Sequence, residues 1–431
     1  MGQKIAALFV IGGGFIIQGL VTISGIVSAR LLGVEGRGEV ALVIALGGMA
    51  TQLTLGGSLA NSVAVRLADQ GVTARDGVRH LVPTWVLLGV AGSVPFAVLF
   101  VFLHGDPGAT YVWWLGFMVL MMALQGMGFR LVTNALLGES APMNRVAVAT
   151  LLPQALSTTA LVVLFVAVRE SSALVVTVIM ASSLAIGLVV SVLLLQPARR
   201  AKDDPTDQVE GRELWRMTRS TYVSSIGPID GLSLDRALIG AMLGTAALGL
   251  YAAAIALAAL TSTLASGMAA VLLPRVAGSQ REPAAERKLI VKWLLASAAV
   301  LGVIGLLVAA VARPVIEIAF GQEFAPAVPI AYWLIAASAL LGYRRILIAV
   351  LQGRQRGGSA SWIELALTPV VVLGIVVAAQ MGEPVGAGIA MFAVAVCAVG
   401  ALGIAVLRTS PLGSGGRHAR GVPVPSARDD A

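Results

Sequence analysis

The chain has 431 residues, of which 58% are hydrophobic and only 12% are charged, and its mean hydropathy is +0.90. So few charges exclude a soluble globular protein, because a soluble surface needs many more ionised side chains. The formal net charge is +8, and in a membrane protein such an excess marks cytoplasmic loops rather than a nucleic-acid interface.

Repeated apolar runs of about 20 residues predict an all-α polytopic membrane protein. The first run is too long for the hydrophobic part of a signal peptide and has no convincing cleavage site, so we expect it to be retained as a helix. The tail, residues 408–431, is rich in Gly, Pro, Ser and Arg and is expected to be disordered. We predict twelve transmembrane helices at residues 5–29, 40–61, 81–103, 111–137, 146–168, 173–195, 221–243, 247–273, 289–312, 325–351, 361–380 and 385–407.

The distribution of Lys and Arg predicts how these helices are oriented. The segments between the predicted spans lie alternately on the two sides of the membrane. Counted in this way, 25 of the 30 Lys and Arg residues lie on the side of the N-terminus, four lie on the other side, and Arg236 lies within a span. Positively charged loops stay in the cytoplasm, so both termini are predicted to be cytoplasmic. A miscount by one span would destroy this alternation.

The two halves of the chain look related. Residues 31–46 resemble residues 242–257 at an offset of 211, and residues 128–138 resemble residues 342–352 at an offset of 214. Six spans in each half would make the two repeats parallel, an arrangement that encloses a substrate cavity in transporters. We therefore predict four regions: an N-terminal six-helix bundle at 1–195, a cytoplasmic linker at 196–219, a C-terminal six-helix bundle at 220–407 and the cytoplasmic tail at 408–431.

The seventh predicted span carries three charges, Asp230, Asp235 and Arg236, together with the pair Gly227-Pro228. A charge at mid-membrane costs about 2.5–3.5 kcal/mol on insertion scales, whereas a Leu or Ile returns only about 0.3–0.6 kcal/mol. The charged face must therefore meet other helices or water, and the Gly-Pro pair permits a kink there. Two interpretations remain open. The charges form a buried structural ion pair, or they form a cavity site in which Arg236 binds an anion and Asp235 or Asp230 binds a coupling ion.

Five further arginines lie near the ends of predicted spans. Arg130 and Arg344 occupy matching positions of the two halves, each about seven residues from the cytoplasmic end of its span. They either extend to the lipid headgroups or clamp a phosphate group of the substrate, and Arg345 shares either role. Arg30 and Arg37 flank the turn after the first span, and we expect them to anchor that turn at the membrane interface.

Several kinds of chemistry find no support in the sequence. Cys397 is the single cysteine, so a disulfide or a cysteine-based metal site is not expected, and His80, His104 and His418 are too far apart to suggest a histidine site. No G-x4-G-K-[ST] phosphate loop occurs, so we expect no ATPase and no cofactor. The short outer loops and the lack of a carboxylate or histidine constellation also disfavour a glycan polymerase or another enzyme.

Three stretches resemble a known family: SARLLGVEGRGEVALVIAL (28–46), LGLYAAAIALAALTSTLASGMAAVLLPRVA (248–277) and FGQEFAPAVPIAYWLIAASALLGYRRILIAVLQGR (320–354). They are similar to the polysaccharide, or oligosaccharide-lipid, flippases, the Wzx-like branch of the multidrug/oligosaccharidyl-lipid/polysaccharide (MOP) exporter superfamily. The resemblance implies a MATE-like fold of twelve helices, in two bundles around a V-shaped cavity that opens alternately to either side.

The resemblance also implies a function and a set of partners. The cargo would be a polyprenyl-pyrophosphate-linked oligosaccharide, flipped from the inner to the outer leaflet of a bacterial plasma membrane. Members of the family line the cavity with cations, and Arg236 matches this pattern best, with Arg130 and Arg344 behind it. The implied partners are the lipid-linked oligosaccharide, membrane lipid, a coupling H⁺ or Na⁺ and the proteins of polysaccharide assembly.

Two departures from the related lipid II flippases bear on the cargo. The first span has no charged residue between Ile5 and Ala29, and twelve spans leave no room for the two extra C-terminal helices of that branch. Both departures argue against lipid II. The alternatives are a multidrug/cation antiporter of the same superfamily, in which Asp230 and Asp235 would bind the ion or drug, and a membrane scaffold that acts through its linker and tail.

Overall fold

The computed structural model describes residues 2–54, 56–70, 74–104, 108–138, 141–168, 170–195, 211–226, 232–279, 283–354, 356–380 and 382–409. Regular structure in these ranges is entirely helical. A π-helix, Ile316–Phe320, and a 3₁₀ turn, Gln322–Phe324, connect α9 to α10. The twelve α-helices are α1 Gly2–Leu53, α2 Gly56–Gln70, α3 Ala74–Leu103, α4 Thr110–Gly138, α5 Met143–Val168, α6 Ala173–Leu194, α7 Gly211–Ile226, α8 Leu234–Ser279, α9 Pro283–Val315, α10 Ala327–Gly353, α11 Gly357–Gln380 and α12 Pro384–Arg408.

Ten segments of the described chain are long and apolar enough to cross a membrane, and two of them are unusually long. Gly12–Leu53 has 42 residues and Leu234–Gly278 has 45. A straight helix of that length would measure more than about 60 Å, twice the thickness of the hydrocarbon layer. Each segment therefore has the length of two crossings, and the ten segments accommodate the twelve predicted spans.

A glycine with positive φ interrupts each long segment. Gly33 has φ 67° and ψ −171°, and Gly244 has φ 86° and ψ 173°. Other residues avoid this region because their Cβ clashes there. The chain reverses at Gly33, since Nη2 of Arg37 lies 3.4 Å from the position that a Cβ would take at Gly25. In a straight helix these two residues would be about 18 Å apart along the axis.

Two predicted spans have different bounds in the structure. Span two, predicted at 40–61, ends at Leu53, and the pair Gly56-Gly57 begins the separate helix α2. Span seven, predicted at 221–243, is divided between α7 and the start of α8. Helix α7 ends at Ile226, directly before the Gly-Pro pair, and it begins inside the predicted linker 196–219. Residues 227–231, with Asp230, and the tail from 410 onward lie outside the described residues.

The largest hydrophobic cluster of the described residues joins the two halves at one end of the molecule. The largest cluster includes α1 residues such as Val40 and Leu46 together with α8 residues such as Leu248 and Tyr251. Two smaller clusters are separate: one lies within α2–α6 with Leu214 of α7, and the other lies within α8–α12. We call the first end the joined end and the second the split end. The predicted orientation puts the split end, which carries most of the arginines, in the cytoplasm.

Candidate functional site

A cavity of about 170 Å³ lies between α8, α10 and α12. It combines charged and hydroxyl groups with an apolar wall, which is the composition of a site that orients a polar ligand. The polar residues that line it are Ser233, Asp235, Arg236, Tyr251, Ser262, Ser338 and Arg345.

The beginning of α8 brings the charged residues to this cavity. Ser233 precedes the helix and has φ 48°, a strained conformation for a residue with a side chain. Helix α8 begins at Leu234 and its first turn contains Asp235. The free N–H groups of a helix N-terminus carry partial positive charge and favour anions, so this break inside the membrane stabilises negative charge at the cavity.

Asp235 is held by a neighbour from the second part of α8. The side chain is only 8% exposed, and the Tyr251 hydroxyl donates a hydrogen bond of 2.8 Å to its Oδ2. Tyr251 itself is fully buried. The adjacent residue, Arg236, is half-buried and is not the partner in this contact. The structure therefore gives Asp235 a tyrosine partner, and a simple Asp235–Arg236 ion pair is not formed.

Arg236 lies near a second cation from the other half of the chain. Arg37 of α1 is close enough to Arg236 for their positive charges to oppose each other, although Arg37 is not among the residues that line the cavity. Within the part of the chain that the structure describes, neither arginine forms an ion pair, and Nε of Arg37 is buried without a hydrogen-bond partner. Two such cations, one from each half of the chain, form a site that a multiply charged anion would complete.

Sequence reasoning assigned Arg37 to the membrane interface and missed its place beside Arg236. The offset of 211 residues aligns Arg236 with Gly25 and not with Arg37, so the repeat gave no sign of this neighbour. The Arg37 guanidinium lies against Gly25, so matching places in the two halves hold a cation that comes from different helices. This substitution of one helix for another is invisible to a comparison of aligned residues.

Two glycines bring α1 and α8 into contact at the joined end. A Cβ at Gly38 would lie 1.8 Å from the carbonyl oxygen of Thr245, and a Cβ at Gly249 would lie 1.9 Å from that of Val34. The contact is reciprocal, since Gly38 pairs with Gly249 and Val34 with Thr245 at the offset of 211. Backbone packs on backbone here, and only glycine permits so close an approach.

The remaining predicted site residues are distributed over the molecule. Arg345 lines the cavity, where it donates a hydrogen bond of 3.3 Å to the Ser262 carbonyl. Arg344 lies outside the cavity, with 1% of its surface exposed, and pairs with Glu364 of α11. Arg130 is half-buried on α4 and does not line the cavity. The structure thus brings Arg236, Asp235 and Arg345 together and separates Arg344 and Arg130 from them.

Arg30 makes a second contact between the halves at the joined end. Its Nε donates a hydrogen bond of 2.8 Å to the Ala319 carbonyl, and its Nη2 donates to the Ile318 carbonyl, both in the π-helix after α9. The Glu323 carboxylate lies next to Gly33, 3.5 Å from the position of its missing Cβ. These polar contacts reinforce closure at the joined end.

Within the described residues, no group of three or more His, Cys, Asp or Glu could hold a metal ion. Among the described residues that line the cavity, the charged groups are Asp235, Arg236 and Arg345.

The comparison with protein families decides the affiliation. A model described as "Polysaccharide biosynthesis protein" matches residues 27–329. The chain belongs to this family. The match covers α1 from residue 27 onward and all of α8, which carries most of the cavity lining. It confirms the family predicted from the three resembling stretches. A search of curated proteins gives no match.

Solved structures of the MOP superfamily share this fold. The lipid II flippase MurJ in an inward closed conformation matches with a TM-score of 0.69 at 11% identity, covering 93% of this chain and 87% of that chain. An inward-facing multidrug resistance MATE transporter matches at 0.67 with 15% identity, covering 93% and 98%. An outward-facing MATE transporter matches at 0.57 with 12% identity, covering 93% and 94%. The protein is thus a multi-pass membrane protein with the MATE and MurJ fold.

Proposed function

We propose that this protein flips a polyprenyl-pyrophosphate-linked oligosaccharide from the inner to the outer leaflet during cell-surface polysaccharide synthesis. Membership in a polysaccharide biosynthesis family supports this assignment. The observation that carries it is the proximity of two arginines from different halves of the chain, Arg37, whose Nε is buried without a hydrogen-bond partner, and Arg236, which lines the cavity. A pyrophosphate offers several charged oxygens and can accept hydrogen bonds from both guanidinium groups at once.

The start of α8 adds to this anion site. Discontinuous helices at the membrane midplane commonly direct their N-termini at anionic substrate groups in transporters. Asp235 lies nine residues before the break at Gly244, or about 14 Å from the joined end of the helix. That distance is close to half of the hydrocarbon thickness, so the helix N-terminus and Arg236 act together near mid-membrane.

Each remaining site residue has a proposed role. Arg345, at the edge of the cavity, receives the phosphate or the sugar on its way to Arg236, and Arg130 and Arg344 remain proposed contacts nearer the inner leaflet. The burial of Arg344 against Glu364 gives it a structural role as well. Asp235 with Tyr251 is the proposed site of the coupling H⁺ or Na⁺, and Asp230 remains a second proposed carboxylate for that ion.

We further propose that the protein has two parallel six-helix repeats, with both termini in the cytoplasm of a bacterial cell, and that this structure is the inward-facing state. The joined core, the Gly38–Gly249 contact and Arg30 all close the end that is predicted to face outward. Within the described residues the hydrophobic clusters of the two halves are separate at the split end, which supports an opening on the cytoplasmic side. Alternating access then requires the joined end to separate.

A multidrug/cation antiporter is the second candidate. Its supporting observation is the carboxylate of Asp235, which lies in the cavity with a tyrosine partner and could receive an ion or a cationic drug. The two candidates differ in which residues transport should depend on most. The flippase depends on Arg37 and Arg236, whereas the antiporter depends on Asp235.

The test measures lipid-linked glycan on the cytoplasmic leaflet of cells that carry single variants. Arg236→Ala and Arg37→Ala should raise this pool and lower surface polysaccharide at normal protein levels, and Arg236→Lys should be intermediate because it keeps the charge but loses the planar fork. Arg287→Gln, an exposed arginine of α9, is the matched control. Normal glycan export in both alanine variants would refute the flippase, and drug sensitivity of Asp235→Asn alone would favour the antiporter.

A further inference from the structure

A groove of about 510 Å³ lies between α3, α4 and α6, on the outside of the N-terminal half and away from the candidate site. Two arginines, Arg75 and Arg79, lie at one end of it. Every other lining residue is apolar, Trp85, Val132 and Val189 among them. The groove therefore has a positively charged end and an apolar body, a lining that complements an anionic amphiphile.

The two arginines are placed to act on one ligand group. They are four residues apart on α3, so they lie on the same face of the helix one turn apart. Both side chains are exposed and belong to the split end, where the chain leaves the apolar segment Val78–Leu103. Basic pockets between membrane helices at this level bind anionic lipid headgroups.

The groove fits within one leaflet. Beyond the arginines its apolar lining runs from Arg79 to Trp85 on α3, which is about 9 Å, and from Leu188 to Leu195 on α6, which is about 10 Å. Half of a hydrocarbon layer is about 15 Å. A phospholipid acyl chain reaches that depth, whereas a polyprenyl chain is much longer than the groove.

The floor of the groove is fixed by a contact between α3 and α4. Trp85 packs where Gly128 has no side chain, since a Cβ there would lie 2.4 Å from Cζ2 of the indole. The Trp85 indole also donates a hydrogen bond of 3.1 Å to the Leu124 carbonyl. These two contacts, one with the ring of Trp85 and one with its N–H group, fix the position of the largest side chain in the groove.

We propose that this groove binds one anionic phospholipid of the leaflet at the split end, with its phosphate on Arg75 and Arg79 and one acyl chain along α3, α4 and α6. Charge complementarity and the one-leaflet depth favour this occupant. The site is independent of the proposed transport function, because none of its residues lines the cavity around Arg236.

The test is native mass spectrometry of the purified full-length protein with phosphatidylglycerol and phosphatidylcholine of identical acyl chains. We expect phosphatidylglycerol to be retained preferentially and the double variant Arg75→Gln with Arg79→Gln to weaken it about 30-fold, at about 1 kcal/mol for each arginine. Arg356→Gln removes another exposed arginine of the split end and should leave retention unchanged.

A second pair of variants tests the apolar body. Val189 is 58% exposed in the groove, so Val189→Trp fills it without disturbing the core, and Ile186→Trp is the control, at 50% exposure on the same helix outside the groove. Only Val189→Trp should abolish retention. Equal retention of phosphatidylcholine, or unchanged retention in the double arginine variant, would overturn the proposal. So would displacement of phosphatidylglycerol by an equal concentration of a polyprenyl phosphate, or the appearance of a dimer that Val189→Trp dissociates.

Discussion

Substitution of Gly38 by alanine should shift the protein from the proposed inward-facing state toward an outward-open one. The new Cβ would lie 1.8 Å from the Thr245 carbonyl oxygen and 3.1 Å from the Gly249 backbone nitrogen. Both neighbours are backbone atoms of α8 and cannot turn away as a side chain would. Relief of the clash requires α1 and α8 to separate by about 1.5 Å at the joined end to restore ordinary contact distances.

The size of the shift follows from the cost of that separation. Extra atoms forced into a tight contact typically cost about 1–3 kcal/mol. Because the contact is lost when the joined end opens, the cost falls on the closed state alone, and the equilibrium should move by about 5- to 150-fold. Gly249→Ala should act in the same way, since its Cβ would lie 1.9 Å from the Val34 carbonyl.

Labelling of a cysteine in the cavity measures the shift. Cys397 is replaced by alanine, Ala259 of the cavity wall is replaced by cysteine, and a membrane-impermeant maleimide is added from outside. Labelling should rise several-fold with Gly38→Ala. The control is Gly48→Ala on the same helix α1, where a Cβ meets nothing within 4 Å and alanine adds only helix propensity.

Unchanged labelling in both Gly38→Ala and Gly249→Ala would refute the reasoning, because a clash with backbone must move one helix or the other. A rise in Gly48→Ala as large as in Gly38→Ala would refute it as well. In that case the effect would come from the loss of glycine in α1 and not from contact between the halves.

Three further substitutions have defined outcomes. Arg344→Gln leaves Glu364 without its buried cation and should lower the free energy of unfolding by about 3–5 kcal/mol, while joint replacement of both by leucine should recover most of it; thermal unfolding in detergent checks this. Tyr251→Phe removes the donor to Asp235 and should cost about 1–3 kcal/mol, with reduced glycan export as a second readout if Asp235 couples the ion. Arg30→Ala removes the bonds across the joined end and should raise outside labelling in the same assay, by a smaller factor than Gly38→Ala because the side chain is exposed.

The helices were predictable because membrane-crossing segments are defined by length and hydropathy, two properties that a sequence displays directly. The predicted spans also divide the fused helices α1 and α8 close to their breaks at Gly33 and Gly244. In α1, Arg30, Arg37 and neighbouring glycines interrupt the apolar run. The bounds failed at two helix ends. At Gly56-Gly57 and at Ile226 the local backbone decides where the helix ends, and α2 and α7 are not among the segments apolar enough to cross a membrane.

The site was predictable only in part, because a sequence shows which residues are charged but not which charges meet. Asp235 and Arg236 were interpreted either as a structural ion pair or as a cavity site, and both line a cavity together with Arg345, for which the sequence suggested a headgroup or phosphate contact. Arg344 has its partner, Glu364, in the next helix, and no local pattern reveals that pairing. Arg37 was missed for the same reason, since its place depends on a reversal at Gly33 that folds it back on its own helix.

The matched positions of the two halves divide into those that agree and those that differ, and the division has a physical cause. Gly38 and Gly249 agree because their contact is reciprocal, so each must tolerate the backbone of the other. Asp235 and Arg236 match Ser24 and Gly25, and Ser24 is hydrogen-bonded to Thr158 at 2.8 Å and to Nε2 of Gln154 at 3.2 Å. The proposed cargo, a lipid-linked glycan, has no twofold symmetry, so the groups proposed to hold it need not repeat. The residues that pack the two halves together therefore repeat at the offset of 211, whereas the charged residues at the cavity do not.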